Sequence, residues 1–394
     1  MFKENIRFID LFAGIGGFHQ AVSNIFPNAK CVWASEINAL TAAVYSENFG
    51  INAFYDITKV NVSDIPPFDL LCAGFPCQPF SKGGNQKGFD DIRGTLFFDI
   101  IRILEYHKPK YVILENVSNF ITHDNGNTYR VIIKSLQKLG YHMPVIPVKL
   151  SPIQIGMPVQ RQRLFIPAIM GNQSIMEFEL PPHYLINKNN SPHVKTVFEF
   201  DKRVKDSTLK LTDYELNVLN MWNEFRNGVK VKTIGFPVWY DFFQYSGNYE
   251  EFPKWKQDFI KKNVQLYKEN KVFIDNWKLK YNNLEKVIKT HRKFEWQCGN
   301  DFKSLFDCII QFRPSGIRVK RPNSFSTLVA MNHTQIIGWK KRRLTMNELK
   351  KLQGFPDDFV LSTNKSMSLK QLGNAVNVKV VEELLNLVFT HVRK

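Results

Sequence analysis

Cysteine is scarce in this chain. Five thiols (Cys31, Cys72, Cys77, Cys298 and Cys308) are spread over 394 residues, an odd number with no C-x-x-C pair. That arithmetic speaks against a disulfide framework or a zinc ribbon and fits a reducing compartment. Long apolar runs are missing too. None approaches the ~18 residues that a bilayer crossing needs, and the opening MFKENIRFIDLF has no signal-peptide pattern. No membrane association and a cytoplasmic location are expected. Repeats and low-complexity tracts are absent, and acidic residues are outnumbered: 36 Asp and Glu against 53 Lys and Arg, a net charge of +17. An excess of that size points to a polyanionic partner, and with the membrane set aside that partner is nucleic acid.

Hydrophobic residues make up 44% of the chain, which supports a sizeable core and excludes wholesale disorder. The length suits two domains, or one large domain with an insertion. Over the first ~170 residues short apolar runs alternate with helical spacing, which predicts an α/β fold with a parallel sheet covered by helices. Strands are expected at 7–12, 30–36, 68–73, 111–115 and 163–169, and helices at 17–26, 39–48, 95–107 and 129–139. From 172 the rhythm is lost and Lys, Asn, Phe, Tyr and Trp accumulate, with Pro181-Pro182 as an expected linker. The expected division is 1–171, an inserted domain at 172–320, and a return segment at 321–394. The return segment holds the helical patterns MNELKKLQ and VNVKVVEELLNLVFTHV, the last expected to pack back on the first domain.

Asp10-Leu11-Phe12-Ala13-Gly14-Ile15-Gly16-Gly17-Phe18 follows the first strand and opens a helix. Glycines there let the backbone approach a ligand closely. Glu36 comes 20 residues after Gly16, at the end of the second strand, where a carboxylate can accept both ribose hydroxyls of an adenosine cofactor. His19 stands where a dinucleotide fingerprint has its third glycine, so a pyrophosphate cradle is weakened while adenosine still fits. Asp56-Ile57 can hydrogen-bond and sandwich the adenine.

Gly74-Phe75-Pro76-Cys77-Gln78-Pro79-Phe80-Ser81 follows the third strand. Two prolines fix the backbone on either side of Cys77, beyond the carboxyl end of a strand, where catalytic groups gather in open α/β sheets. Cys31 and Cys72 fall inside strands and read as small hydrophobes. Glu115-Asn116 closes the fourth strand, and an acidic residue ending an apolar strand needs a partner. If the two strands are neighbours, thiol and carboxyl share a pocket. That pair suits alkylation of cytosine. Carbon 5 is a poor nucleophile until a thiolate adds at carbon 6, and a carboxyl sharing its proton with ring N3 offsets the charge that develops there. Arg161 and Arg163, starting another strand, can bind the base carbonyl and nearby phosphates.

With these residues in place, the chain resembles the DNA (cytosine-5) methyltransferase family. The family's motifs occur in order as DLFAGIGGF, Glu36, Asp56-Ile57, GFPCQPFS, RGTLFFDIIRIL, ENV, QRQRLFI, RLTMNELKKLQGFPDDF and QLGNAV, over roughly 6–170 and 320–390. The resemblance implies a Rossmann-like domain that binds S-adenosyl-L-methionine, with an inserted small target-recognition domain and double-stranded DNA in the cleft between them. It implies Cys77 as nucleophile, Glu115 at N3 and Arg163 on a flipped-out cytosine. Phe12, Gly14, Gly16, Glu36, Ile37, Asp56, Ile57, Leu96, Asn374 and Ala375 would surround the cofactor. Pro76, Gln78, Ser81, Asn116 and Arg161 would lie on the substrate side. In one departure, Pro158 is followed by Val159 where the family has Gln, so that side-chain contact is lacking.

The family pattern fades between 172 and 320, where recognition domains differ. Arg313, Arg318, Lys320, Arg321, Lys340, Lys341, Arg342 and Arg343 form two basic clusters expected to neutralise phosphates. The aromatic residues of the insertion are expected mostly to form its own core. The resulting expectation is a monomeric enzyme of a restriction-modification system, paired with an endonuclease for the same site. Two alternatives stay open: a tRNA cytosine-5 methyltransferase on the same catalytic domain, and an inactive DNA-binding homologue. The basic insertion argues against the first, and intact Cys77, Glu115 and Arg163 against the second.

Overall fold

The computed structural model of the chain describes residues 4–76, 96–184, 192–230, 234–328 and 335–393. The chain divides into two compact units. One comprises Met1–Ser191, Thr327–Met331 and Leu349–Lys394, the other Pro192–Ser326 and Asn332–Glu348.

In the first unit β1 (Arg7–Leu11), β2 (Lys30–Ser35), β3 (Leu70–Gly74) and β4 (Tyr111–Val117) form a parallel array in the order β2-β1-β3-β4. β3 reads LLCAG with its first four residues buried, the pattern of a strand covered on both faces. Helices α1 (Gly17–Ile25), α2 (Ala39–Phe49), α3 (Leu96–His107) and α4 (Asn127–Lys138) flank these strands in the chain. The fold is α/β and Rossmann-like, as expected.

The sheet is mixed, which corrects the expectation of a wholly parallel one. α4 leads to β5 (Tyr141–His142), β6 (Val148–Leu150) follows, and the chain then turns back as β7 (Arg163–Met170). β7 lies between β4 and β5 and runs antiparallel to β4, β5 and β6. Six consecutive residues of β7 are buried. A strand sealed on both faces looks the same in sequence whichever way it runs, so direction was not readable from hydrophobicity.

The second unit carries α5 (Asp213–Gly228), β8 (Val238–Trp239), α6 (Lys254–Glu269), α7 (Lys271–Lys280), β9 (Lys293–Gln297), β10 (Ile309–Arg313), β11 (Gly316–Lys320), β12 (Ile336–Ile337) and β13 (Arg342–Arg343). Its sheet runs β13-β12-β10-β11-β9-β8, antiparallel except between β11 and β9. α5 opens with a reciprocal capping box between Thr212 and Glu215. The core is aromatic: Trp222 stacks on Phe294 with centroids 4.9 Å apart, and Trp277 donates Nε1–H to the Met221 carbonyl at 3.0 Å.

After α8 (Met346–Leu352) the chain runs through α9 (Lys365–Asn374) and α10 (Val378–His391). α10 packs on α1, with Asn24 donating to Glu382 and Phe26 meeting Phe389 edge to face. The boundaries depart from those expected. Residues 172–184 stay with the first unit, because Ile175 and Phe178 are buried there and Phe178 packs against His391. Pro181-Pro182 is therefore no linker: Tyr184, just after it, is buried and bonded to Glu383. At the other end β12 and β13 keep the second unit going to Glu348.

Candidate active site

The residues that the sequence nominates gather at one edge of the first unit's sheet. β1 ends and the chain turns sharply through Phe12 (φ +54°) and Gly14 (φ +58°), a backbone region that non-glycine residues seldom enter. Glu36, leaving β2, receives the Gly14 amide on one oxygen (3.0 Å) and the Asn38 amide on the other (2.8 Å). The carboxylate is thereby fixed in place and keeps lone pairs for a ligand. Gly16 departs from expectation. It does not line the cavity, and a side chain there would collide with the Phe49 ring, so this glycine serves packing inside the protein. His19 explains the broken fingerprint in the same way. It is buried, stacked on Phe49 at 3.9 Å and bonded to the Tyr45 hydroxyl, and burial lowers its pKa to about 4, which keeps it neutral.

Register brings the second set together. Gly74, ending β3, pairs with Glu115 on β4, and Val117 pairs with Arg163 at the start of β7. Only because β7 is antiparallel does a residue opening that strand reach the edge where β3 and β4 end. Arg163 Nε lies 3.0 Å from Glu115 Oε1, both side chains being largely sheltered. Burial raises the Glu115 pKa, while Arg163 and then Arg161 pull it back. Asn116, expected on the substrate, is used internally: its Nδ2 donates to the Phe75 carbonyl (3.1 Å) and its Oδ1 accepts the Val117 amide (2.8 Å). It pins the backbone just ahead of Pro76. Cys77, Gln78 and Ser81 lie outside the described residues.

Phe12, Gly14, Glu36, Ile37, Asp56, Ile57, Pro76, Leu96, Glu115, Asn116, Arg161, Arg163 and Asn374 all line one cavity of about 620 Å³, within the ~300–1,000 Å³ typical of small-molecule sites. Asp56 is held by Thr58, whose hydroxyl and amide both donate to Oδ1, and these bonds lower its pKa. Arg102 secures the neighbouring turn through the carbonyls of Ile57 and Val60.

Two expectations need correction here. Ala375 does not line the cavity; its carbonyl instead receives Arg161 Nη2 at 2.9 Å. Arg161 also donates to the Leu328 carbonyl at 3.3 Å. It is buried, and burial followed by the Arg163 charge lowers its pKa. Its Nη1 and Nη2 brace the backbone at Leu328 and Ala375, while Nε, on a residue that lines the cavity, has no partner among the described residues. Val159 is fully buried, so the position where the family has Gln is a core position in this chain. The sequence reading also missed Met367, Lys370 and Gln371, which line the cavity with Asn374. They are spaced i, i+3, i+4 and i+7 on α9, a helix whose weak apolar pattern hid that face.

Behind the glycine turn sits a buried polar cluster. Asp10 is fully buried, and among the described residues neither carboxyl oxygen makes a well-formed hydrogen bond, the His19 amide being the nearest help. Burial, and to a smaller degree Glu36, raises its pKa well above the usual carboxylate range, against a lowering pull from the His19 amide. Burial likewise pushes Cys31 up to about 12 and raises Cys72, so both thiols are inert, in keeping with their expected packing role.

In the second unit most of the expected phosphate ligands are spent on internal carboxylates. Arg313 and Arg318 converge on Glu295, Arg321 pairs with Asp301, and Arg343 with Glu215. Arg342 grips Glu348 with two bonds of 2.7 and 2.8 Å, and Lys320 is buried beside Ser324. Of the two clusters only Lys340 and Lys341 are exposed. Charge counts along a sequence do not reveal which cations are already neutralised.

Comparison with known proteins agrees with the site. The family model described as C-5 cytosine-specific DNA methylase matches residues 6–389. The Type II methyltransferase M.BanI of Aneurinibacillus aneurinilyticus is 31% identical, over 98% of this chain and 96% of its own length. The Type II methyltransferase M.HhaI of Haemophilus parahaemolyticus is 46% identical over 46% of this chain and 54% of its own. Among solved structures, the Entamoeba histolytica methyltransferase EhMeth superposes with a TM-score of 0.55 at 18% identity, covering both chains completely, a likeness of fold.

Proposed function

Because the chain belongs to the C-5 cytosine-specific DNA methylase family, and so is an enzyme that methylates cytosine at carbon 5 in DNA, we propose residue roles for that reaction. One observation carries the assignment: the Glu115–Arg163 pair and the anchored Glu36 carboxylate face one cavity that also reaches Pro76, the residue before Cys77. Cys77 adds its thiolate to carbon 6 of the extruded base. Glu115 supplies a hydrogen bond or a proton at N3 as negative charge develops in the ring, a role that the upward pull of burial on its pKa favours. Arg163 keeps Glu115 oriented and presents its remaining N–H groups to the base carbonyl. Loss of the carbon 5 proton after alkylation lets the thiolate leave and restores the aromatic ring. Asn116 fixes the Phe75 carbonyl, two residues before the nucleophile in sequence.

The family depends on S-adenosyl-L-methionine, and the cavity suits it. Glu36 takes the ribose hydroxyls, and Phe12, Ile37, Ile57 and Leu96 supply apolar walls for the adenine. When bound, the cofactor provides a methyl group on a positively charged sulfur, the electrophile for carbon 5. The second unit is read as the sequence selector. By analogy with relatives named as Type II methyltransferases, the protein shields the site of a partner endonuclease.

The test is transfer of tritiated methyl from S-adenosyl-L-methionine to genomic DNA, with total tRNA alongside. Label is expected in DNA and should vanish in Cys77→Ala. A duplex with 5-fluorocytosine at the target should trap a covalent adduct on the wild type alone, because fluorine blocks the final proton loss. An adduct on Cys77→Ala would remove Cys77 from the mechanism, and label confined to tRNA would overturn the substrate.

A further inference from the structure

With the arginines of β10, β11 and β13 closed onto carboxylates, the unpaired positive charge of that unit lies elsewhere. One concentration of it is α6, which holds five lysines against two carboxylates, whereas the three lysines of α7 are ion-paired with Asp275 and Glu224. Lys254, Lys261, Lys262 and Lys268 on α6 are all exposed and make no ion pair among the described residues. Lys254, Lys261 and Lys268 are spaced by seven residues, two turns apart, and form one stripe along the outer face. Each step is about 10.5 Å, and the 16-residue helix is about 24 Å long. The opposite face is the buried one, carrying Ile260, Asn263, Leu266 and Tyr267. Trp255, at the edge of the stripe, is 60% exposed. The stripe therefore lies off the packing face, and among the described residues no carboxylate is within ion-pairing distance of its lysines, the exposed Asp258 on the same face included.

We propose that the outer face of α6 is a second DNA-contacting surface, which binds the phosphate backbone of duplex away from the methylated site and contributes affinity without sequence preference. Duplex DNA carries a charge about every 1.7 Å of axis, so a helix of this length spans on the order of 14 phosphates, and flexible lysine stems reach them without exact register. This rests on the reading that the substrate is duplex DNA. Its consequence is distinct: longer duplexes with the same target should bind more tightly, and with a steeper salt dependence, than short ones.

The experiment measures binding of the full chain to a ~12-base-pair and a ~40-base-pair duplex containing its target site, from low to moderate salt. Wild type is compared with a variant carrying Lys254→Ala, Lys261→Ala and Lys268→Ala. Alanine favours helix and these side chains are exposed, so an unchanged melting curve checks the fold. On the long duplex the logarithmic salt slope should fall by about 2–3 in the variant, since each phosphate contact contributes ~0.9. On the short duplex the slope should barely change, and turnover at saturating DNA and the choice of site should stay as in wild type. An unchanged slope on the long duplex overturns the surface while leaving the substrate reading intact. Failure of the wild type to bind either duplex overturns both. A loss of slope seen with duplex RNA of equal length but not with DNA overturns the assignment of the partner.

Discussion

Each unit holds a glutamate–arginine pair with a contrasting fate, Glu115–Arg163 in the first and Glu348–Arg342 in the second. In the second unit Glu348 is fully buried and its carboxylate is used up: Oε1 accepts from Arg342 and the Asp201 amide, Oε2 from Arg342 and the Thr345 amide. In the first unit Glu115 has Arg163 as its sole polar partner among the described residues, through one 3.0 Å contact, and the pair faces a cavity. The closed pair can only support structure, because every lone pair is taken. The open pair stores unmet hydrogen-bonding capacity beside a space that a base can enter. What separates the two pairs is that Glu115 keeps unfilled acceptor capacity on the wall of a cavity, whereas Glu348 has none left.

Substitutions can break this contrast. Glu115→Gln keeps the shape and should lower kcat by about 10²–10⁴, the usual size of a general acid–base contribution, with little change in the urea midpoint; near-normal turnover would sink the role of Glu115. Glu348→Ala should act in the opposite sense and strand a buried guanidinium at a cost of about 3–5 kcal/mol in unfolding free energy. Replacing both partners, as Arg342→Met with Glu348→Leu, should recover much of that loss. A Glu348→Ala protein as stable as wild type would mean the closed pair is not structural.

The anchored Glu36 lies between these extremes, since its backbone bonds fix it but leave lone pairs free. Glu36→Ala should weaken S-adenosyl-L-methionine binding by about tenfold or more, the equivalent of one lost charged hydrogen bond of ~1.5–3 kcal/mol, and calorimetry showing unchanged affinity would remove it from the cofactor site. Asp10 offers the smallest effect and a pH signature. Its carboxyl ionises near 3.8 when unfolded and well above that in the fold. Between the two values the folded state binds more protons, so the stability this group contributes is full below 3.8 and is lost as pH rises through the folded value. Asp10→Asn should remove that fall, so melting temperatures of variant and wild type should diverge in favour of the variant as pH rises from 4 to 8. Parallel curves would show that Asp10 ionises in the fold as it does in the unfolded chain.

Much of the first unit was legible because each signal was local. The strands at 7–11, 30–35 and 111–117 and the helices at 17–25 and 96–107 announce themselves by apolar spacing. The motif residues from Phe12 to Leu96 converge because strand ends in an open α/β sheet share one edge. The second unit was not legible in that way. Its short strands β8, β12 and β13 have two residues each and carry no period, and the hairpin of β10 and β11 turns on Arg313-Pro314-Ser315-Gly316, a signal that went unread in the surrounding lysines.

By itself the sequence determined the family and the α/β class and nominated Cys77, Glu115 and Glu36 for the roles proposed above, since these depend on residue type and order along the chain. Tertiary structure alone decided the direction of β7, and with it the delivery of Arg163 to Glu115. It also decided the diversion of Arg161 and Asn116 to bracing the backbone, and which of the many cations remain unneutralised. Those outcomes depend on what lies across from each group in space. Hydrogen-bond and charge satisfaction are set by partners distant in the chain, as Arg161 and Ala375 are, 214 residues apart, and no local pattern encodes them.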